Sequence, residues 1–225
     1  MITGTPTRTL MDTTITRMTD IGAIQRLFAW LSPAYPVGSF AYSHGVEQAI
    51  ADGWLTSPAD VERWIADLLT HGAGRNDAII LAHAWRGDDV ADLATALAGS
   101  AERLRETLEQ GASFARVATA VDGALSAAPY PVIVGQAAAR AGVPLPETLV
   151  IFLQAFASNL ITACVKSVPI GPTDGQRVLS ALMPVISDIA HDAETATLDD
   201  IGGCAFRSDM CAMRHETLEP RIYRT

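Results

Sequence analysis

Apolar residues in this chain recur three and four apart along nearly its whole length, and no stretch alternates with the two-residue period of a half-buried strand. That regularity restricts the fold to helices packed on helices. Asp20 stands as a cap before Ile21, Ile24, Leu27, Phe28 and Leu31, which share one helix face, and Pro33 and Pro36 stop the helix. A second helix is expected from about 42 to 51. The stretch TSPADVERWIADLLTHGAG is the clearest unit. Ser57 caps it, Pro58 takes the first helical position and Asp60 follows three after the cap. Val61, Trp64, Ile65, Leu68 and Leu69 then form the apolar stripe.

Further helices are predicted over 75–85, 88–98, 100–127, 132–141, 146–167, 173–193 and 197–217, with Pro184 kinking or splitting the penultimate one. Their connectors, such as APYP and AGVPLP, are short and rich in Gly and Pro. No fixed-period repeat supports a solenoid. The sequence therefore reads as one compact all-α domain of about nine or ten helices over residues 20–225, after a Thr-rich, flexible segment at 1–19. Small residues in GQAAARAG and ADLATALAGSA let helices approach closely but leave few large side chains for the core. Such a chain leans on a partner surface.

Composition excludes several classes of function. Apolar residues make up 49% of the chain and charged residues 18%. The most apolar run, 149–165, holds Gln154, Ser158 and Asn159 between Pro146 and Pro169, and reads as a buried helix and not a membrane span. The N-terminus shows no apolar secretory core, so a cytoplasmic location is expected. A net charge of −9 argues against nucleic acid as a partner. The three cysteines, Cys164, Cys204 and Cys211, fit no zinc or redox spacing and read as reduced thiols.

No phosphate loop, dinucleotide fingerprint, HExxH or nucleophile elbow is present. The five histidines are scattered, none with a second His at helical spacing. HETLEPRIYRT is the densest stretch, with His215, Glu216, Glu219, Arg221, Tyr223 and Arg224 close behind Arg214. His215 and Glu216 suggest acid–base work, but neighbours in sequence do not share a helix face. The stretch reads equally as a solvated tail or, through its Arg and Tyr, as an interface. In CVKSVPIGPTDGQRVL, Lys166 suits a helix C-terminus and Asp174 the next helix start, so a structural joint explains the residues. In SPAYPVGSFAYSHGVEQAI, Pro33 and Pro36 turn the chain, Gly38 permits a close approach, and Phe40, Tyr42, Ser43 and His44 are presented at the start of the second helix.

These last three stretches, with FASNLITA before the second and SDMCAMR before the third, resemble in order and spacing the signature regions of the UreF family of urease accessory proteins. The resemblance covers about 27–225. It implies an all-α, dimeric protein without catalytic centre, metal site or cofactor of its own. It implies binding to UreD (also called UreH), recruitment of the GTPase UreG, modulation of its GTP hydrolysis, and docking on apo-urease as part of the nickel route. Nickel and nucleotide are then handled chiefly by UreG. The implied partner-binding residues are Gly38, Phe40, Tyr42, Ser43 and Glu47 in the first region, and Lys166, Asp174, Gly175 and Gln176 in the second. Arg214, His215, Glu216, Arg221 and Tyr223 complete them in the third. Arg221 matches the arginine that holds a loop used to recruit UreG. Phe40 stands where a tyrosine is its partner in the family, so a cation–π contact, or Tyr42, is expected to substitute. The tail from about 208 to 225 is expected to be mobile until a partner orders it.

Two other functions remain to be weighed. A small all-α enzyme would need Asp174, His215 and Glu216 to converge in one pocket. A direct nickel-binding chaperone would need a cluster such as Cys204, Cys211 and His215, within one chain or shared between two subunits of a dimer.

Overall fold

Ser57 and Ser100 set the first turns of two long helices. The Ser57 side chain accepts the Asp60 amide at 3.3 Å, and its hydroxyl donates to the Asp60 carboxylate at 2.7 Å. Ser100 accepts the Arg103 amide at 3.1 Å. Each cap satisfies a donor that the helix itself leaves unpaired. The computed structural model describes residues 21–224, so the segment 1–19 and the Asp20 cap lie outside the described residues.

Ten α-helices follow in order: α1 (Ile21–Trp30), α2 (Val46–Ala51), α3 (Pro58–His71), α4 (Ala73–Arg86), α5 (Ala91–Ala96), α6 (Ala101–Asp122), α7 (Tyr130–Arg140), α8 (Leu145–Ser167), α9 (Pro172–Thr195) and α10 (Phe206–His215). Single 3-10 turns stand at Ser39–Ala41 and Leu198–Asp200, and no strand occurs among the described residues. The fold is all-α, as the periodicity requires.

The long α8 runs through the middle. Leu149, Phe152, Leu153, Leu160 and Cys164 are buried on it, and α1, α2, α3, α4, α7 and α9 all pack against it. By length and composition it could cross a membrane. Here its apolar side chains are spent on neighbouring helices instead, each large one contributing about 1.5–3 kcal/mol on burial. Ile80, Ala84, Val90 and Val132 form a small satellite core.

Three departures from the sequence reading have local causes. The second helix begins at Val46 and not at Tyr42, because His44 (φ 53°) and Gly45 (φ 77°) are both left-handed and break the helical path. The helix expected over 197–217 divides into the Leu198–Asp200 turn and α10. The loop between them is tied to α4, where Arg75 donates to Asp200 O at 2.6 Å and Asn76 to Gly203 O at 2.9 Å. Of the two effects expected of Pro184, the split does not occur: α9 runs through it. Pro184 lies on the exposed face, where water reaches the carbonyl that the proline frees.

Gly45 joins α2 to α10. A Cβ built there meets Ala212 N at 2.7 Å and Ser208 O at 2.9 Å, and the Ser208 hydroxyl donates to His44 O at 3.0 Å. Gly38 is left-handed too, but a Cβ there meets nothing within 4 Å, so it serves a turn and not the expected close approach. Gly38→Ala is therefore expected to cost the left-handed penalty alone, about 1–2 kcal/mol. Gly45→Ala adds about 1–3 kcal/mol of overpacking. Urea unfolding of the two variants side by side reads the difference.

Candidate functional site

Glu47, in the first turn of α2, is the acceptor that gathers the C-terminal tail. Its carboxylate takes the amides of Ile222 at 2.7 Å and Tyr223 at 2.8 Å, and faces His215 Nε2 at 2.9 Å. On the other side of the imidazole, Nδ1 faces Glu102 of α6 at 2.8 Å. Glu102 also accepts Arg221 at 2.7 Å. His215 is fully buried between the two carboxylates, with one ring nitrogen within hydrogen-bond distance of each. Charge-assisted bonds of this kind are roughly twice as strong as neutral ones.

The tail closes against the first region as well. Arg224 N donates to Ala41 O at 2.7 Å, and its guanidinium donates to Glu109 at 3.0 Å. The Tyr42 hydroxyl donates to the same Glu109 carboxylate at 2.6 Å. Burial, followed by that hydrogen bond, pushes the Tyr42 phenol up to about 12. Tyr223 is buried, with its ring reaching Ser167 at the end of α8. The three sequence regions thus meet at one place.

A second polar cluster lies behind the first, on the same helix. Glu106 of α6 bonds His44 at 2.8 Å, Gln110 at 2.9 Å and Arg103. Arg103 lies 3.7 Å from Asp77 of α4 and 3.0 Å from His44 Nε2. The His44 ring stands edge-on to Phe156. Burial works to raise the Glu106 carboxyl, but Arg103 and His44 outweigh it and hold the group down at about 2. Burial pushes Asp77 up to about 6, and burial with Arg103 lowers His44. These groups border a cavity of about 50 Å³ that Ser39 and Tyr42 also line.

Of the sequence-predicted residues, Tyr42, Glu47, His215, Arg221 and Tyr223 come together here. Ser43 accepts the Glu47 amide at 3.3 Å. Arg214 grips Asp52 with two bonds, at 2.5 and 3.1 Å, and Glu216 accepts the Ala101 amide at 3.1 Å. Phe40 is 69% exposed. Arg221 pairs with Glu102 and not with Phe40 or Tyr42, because Glu102 offers it a charge and Tyr42 is taken by Glu109. The cation–π contact found among the described residues is Arg207 on Trp54.

The second region divides. Lys166 and Gln176 are exposed, Asp174 accepts Gly171 N and Arg177 at the start of α9, and Gly175 packs where a Cβ would meet Val165 at 2.9 Å. Asp174, His215 and Glu216 bond to different partners and form no common pocket. Buried His215 also departs from the solvated-tail reading, and the tail expected to be mobile from 208 begins inside α10, where Ser208 and Cys211 are buried. No three His, Cys, Asp or Glu groups among the described residues are gathered to hold a metal ion.

Sequence reasoning misses Glu102, Arg103, Glu106 and Glu109. On an isolated helix their spacing reads as a solvated face. The available signal is the excess of acidic and amide groups at i, i+4 and i+7 in AERLRETLEQG, a helix that also carries Phe114 and Ala118 into the core.

The family model for UreF matches residues 55–183. A urease accessory protein UreF from Cereibacter sphaeroides (strain KD131 / KCTC 12085) is 56% identical over 207 residues, spanning 90% of this chain and 99% of that relative. The UreF of Dinoroseobacter shibae is 46% identical over 91% of this chain and 100% of its own length. That of Agrobacterium fabrum is 45% identical over 91% and 97%.

Two outcomes follow from the geometry. Glu106→Gln strips Arg103 of its nearest buried counter-charge and is expected to cost about 3–5 kcal/mol at neutral pH. Because the native Glu106 carboxyl is depressed, its contribution is present above about 4.5, the ordinary Glu value, and is lost as pH falls toward 2. The gap between wild type and variant should close over that window in urea melts run at a series of pH values. Glu47→Ala removes the acceptor of two tail amides, so hydrogen exchange at Ile222 and Tyr223 should become faster than in wild type.

Proposed function

This chain belongs to the UreF family of urease accessory proteins, and on that premise we propose that it is a scaffold, not an enzyme, in nickel insertion into apo-urease. It binds UreD (UreH), and the pair recruits the GTPase UreG and modulates its GTP hydrolysis. It acts as a homodimer in the cytoplasm, at the surface of apo-urease. Nickel and nucleotide are carried by the assembly, chiefly by UreG, and this chain forms part of the route that the metal takes.

The observation that carries this reading is the tail held by Glu47 and Glu102. It gathers Tyr42, Ser167, His215, Arg221 and Tyr223, drawn from all three family-like regions, into one structure. The groups in it are bonded to one another, with both His215 nitrogens committed. A catalytic base needs a nitrogen free for substrate. The arrangement is therefore suited to presenting a fixed surface of Phe40, Ile222 and Arg224, all exposed, to another protein.

Size-exclusion chromatography with light scattering tests this. The wild-type chain mixed with its cognate UreD, then UreG, GTP and magnesium, should form the ternary complex. Arg221→Ala should keep UreD and lose UreG, while Arg221→Lys should recover part of the recruitment. A wild-type chain that binds neither protein would overturn the scaffold reading.

A further inference from the structure

A groove of about 600 Å³ opens between α3 and the chain that leads into α10. Trp54, Leu55, Trp64 and Phe206 give it an apolar lining, with the two indoles 6.2 Å apart and inclined at 52°. Small-molecule sites have volumes of about 300–1,000 Å³ and are built in this way, from aromatic walls with a few polar groups among them. No residue of the C-terminal tail lines the groove, so what it binds is separate from the recruitment of UreG.

The charged side chains of the lining are Asp60, Arg63, Asp67 and Arg207, joined by His71 at the end of α3. Asp60 and Arg63 are spent on each other, 2.5 Å apart, and Asp60 also accepts the Thr56 and Ser57 hydroxyls. Asp67, one heptad along α3 from Asp60, is exposed and has no hydrogen bond or ion pair among the described residues. Arg207 has no carboxylate partner among them either, and its guanidinium lies 5.9 Å from the centroid of the Trp54 ring. A guanidinium that uses its face on an indole keeps its in-plane N–H donors for a carboxylate. Trp64, only 8% exposed, carries a buried indole N–H with no acceptor among the described residues. An unmet buried donor is costly.

The groups left over in one groove are thus a carboxylate, a guanidinium and a buried N–H donor, set among apolar walls. A purely anionic ligand would satisfy Arg207 and be repelled by Asp67, and a purely cationic one would do the reverse. A purely apolar ligand would satisfy none of the three. We propose that the groove is a binding site for a small zwitterion with an apolar body, of the size of a dipeptide. Its carboxylate meets the donors of Arg207 and Trp64, its ammonium meets Asp67, and its apolar side chains cover Trp54, Leu55 and Phe206.

The test is calorimetric titration of the full chain with the dipeptide leucyl-phenylalanine, with its C-terminal amide and with its N-acetyl form. The free dipeptide should bind saturably with one site per chain. Amidation and acetylation should each weaken binding about fivefold, the scale of one exposed charge pair. Arg207→Gln should abolish the penalty of amidation and keep that of acetylation, and Asp67→Asn should do the opposite. Both substitutions are on exposed side chains, so circular dichroism should match wild type. The proposal is overturned if the free dipeptide does not bind saturably, or if the two blocked forms bind as well as the free one. It is also overturned if neither substitution changes the response to blocking, since the dipeptide is then held elsewhere.

Discussion

One imidazole ring holds together segments that are far apart in the chain. His215 meets Glu102 across 113 residues and Glu47 across 168. Through those carboxylates it fixes α10 to α6 and α2, and the same carboxylates then fasten Arg221, Ile222 and Tyr223. Neither acid is stable in a buried position alone. Glu102 needs the Arg221 guanidinium and Glu47 the Ile222 and Tyr223 amides that the tail brings, and the tail needs both acids to hold an irregular backbone. These bonds hold the first and third sequence regions to α6.

Helix α6 carries two such systems at once. Glu102 and Glu109 face the tail, while Arg103 and Glu106, next to them in sequence, face His44 and Asp77. The spacing that puts four charged residues on adjacent strips of one helix makes α6 a shared support. A small rotation of the helix would disturb both clusters together. The Gly38–Gly45 segment, which supplies Tyr42 and His44, is irregular to match: it holds three left-handed residues, Gly38, His44 and Gly45, and aims these side chains at different parts of one helix.

What is legible in the sequence is what local physics decides. The start of α3 is plain because Ser57, Pro58 and Asp60 are neighbours and cap the helix wherever it packs. The apolar stripe of α8 is equally plain. The start of α2 is hidden, because the turn at His44 and Gly45 is imposed by contact with α10, far along the chain. The role of His215 is hidden for the same reason. Its sequence neighbour Glu216 draws attention as a partner, yet the partners that matter come from other helices. Family resemblance supplies the names of residues in the tail but misassigns the contact of Arg221, since Glu102 is not in any of the recognisable regions.

The burial of Glu102, only 3% exposed, has a consequence for how the tail can move. If Arg221 swings away with the tail, the carboxylate left behind loses its guanidinium in a place water scarcely reaches. Spontaneous detachment is therefore uphill. What fastens the tail to α6 is thus the cost of stranding a charge at Glu102, and not the area that the tail covers.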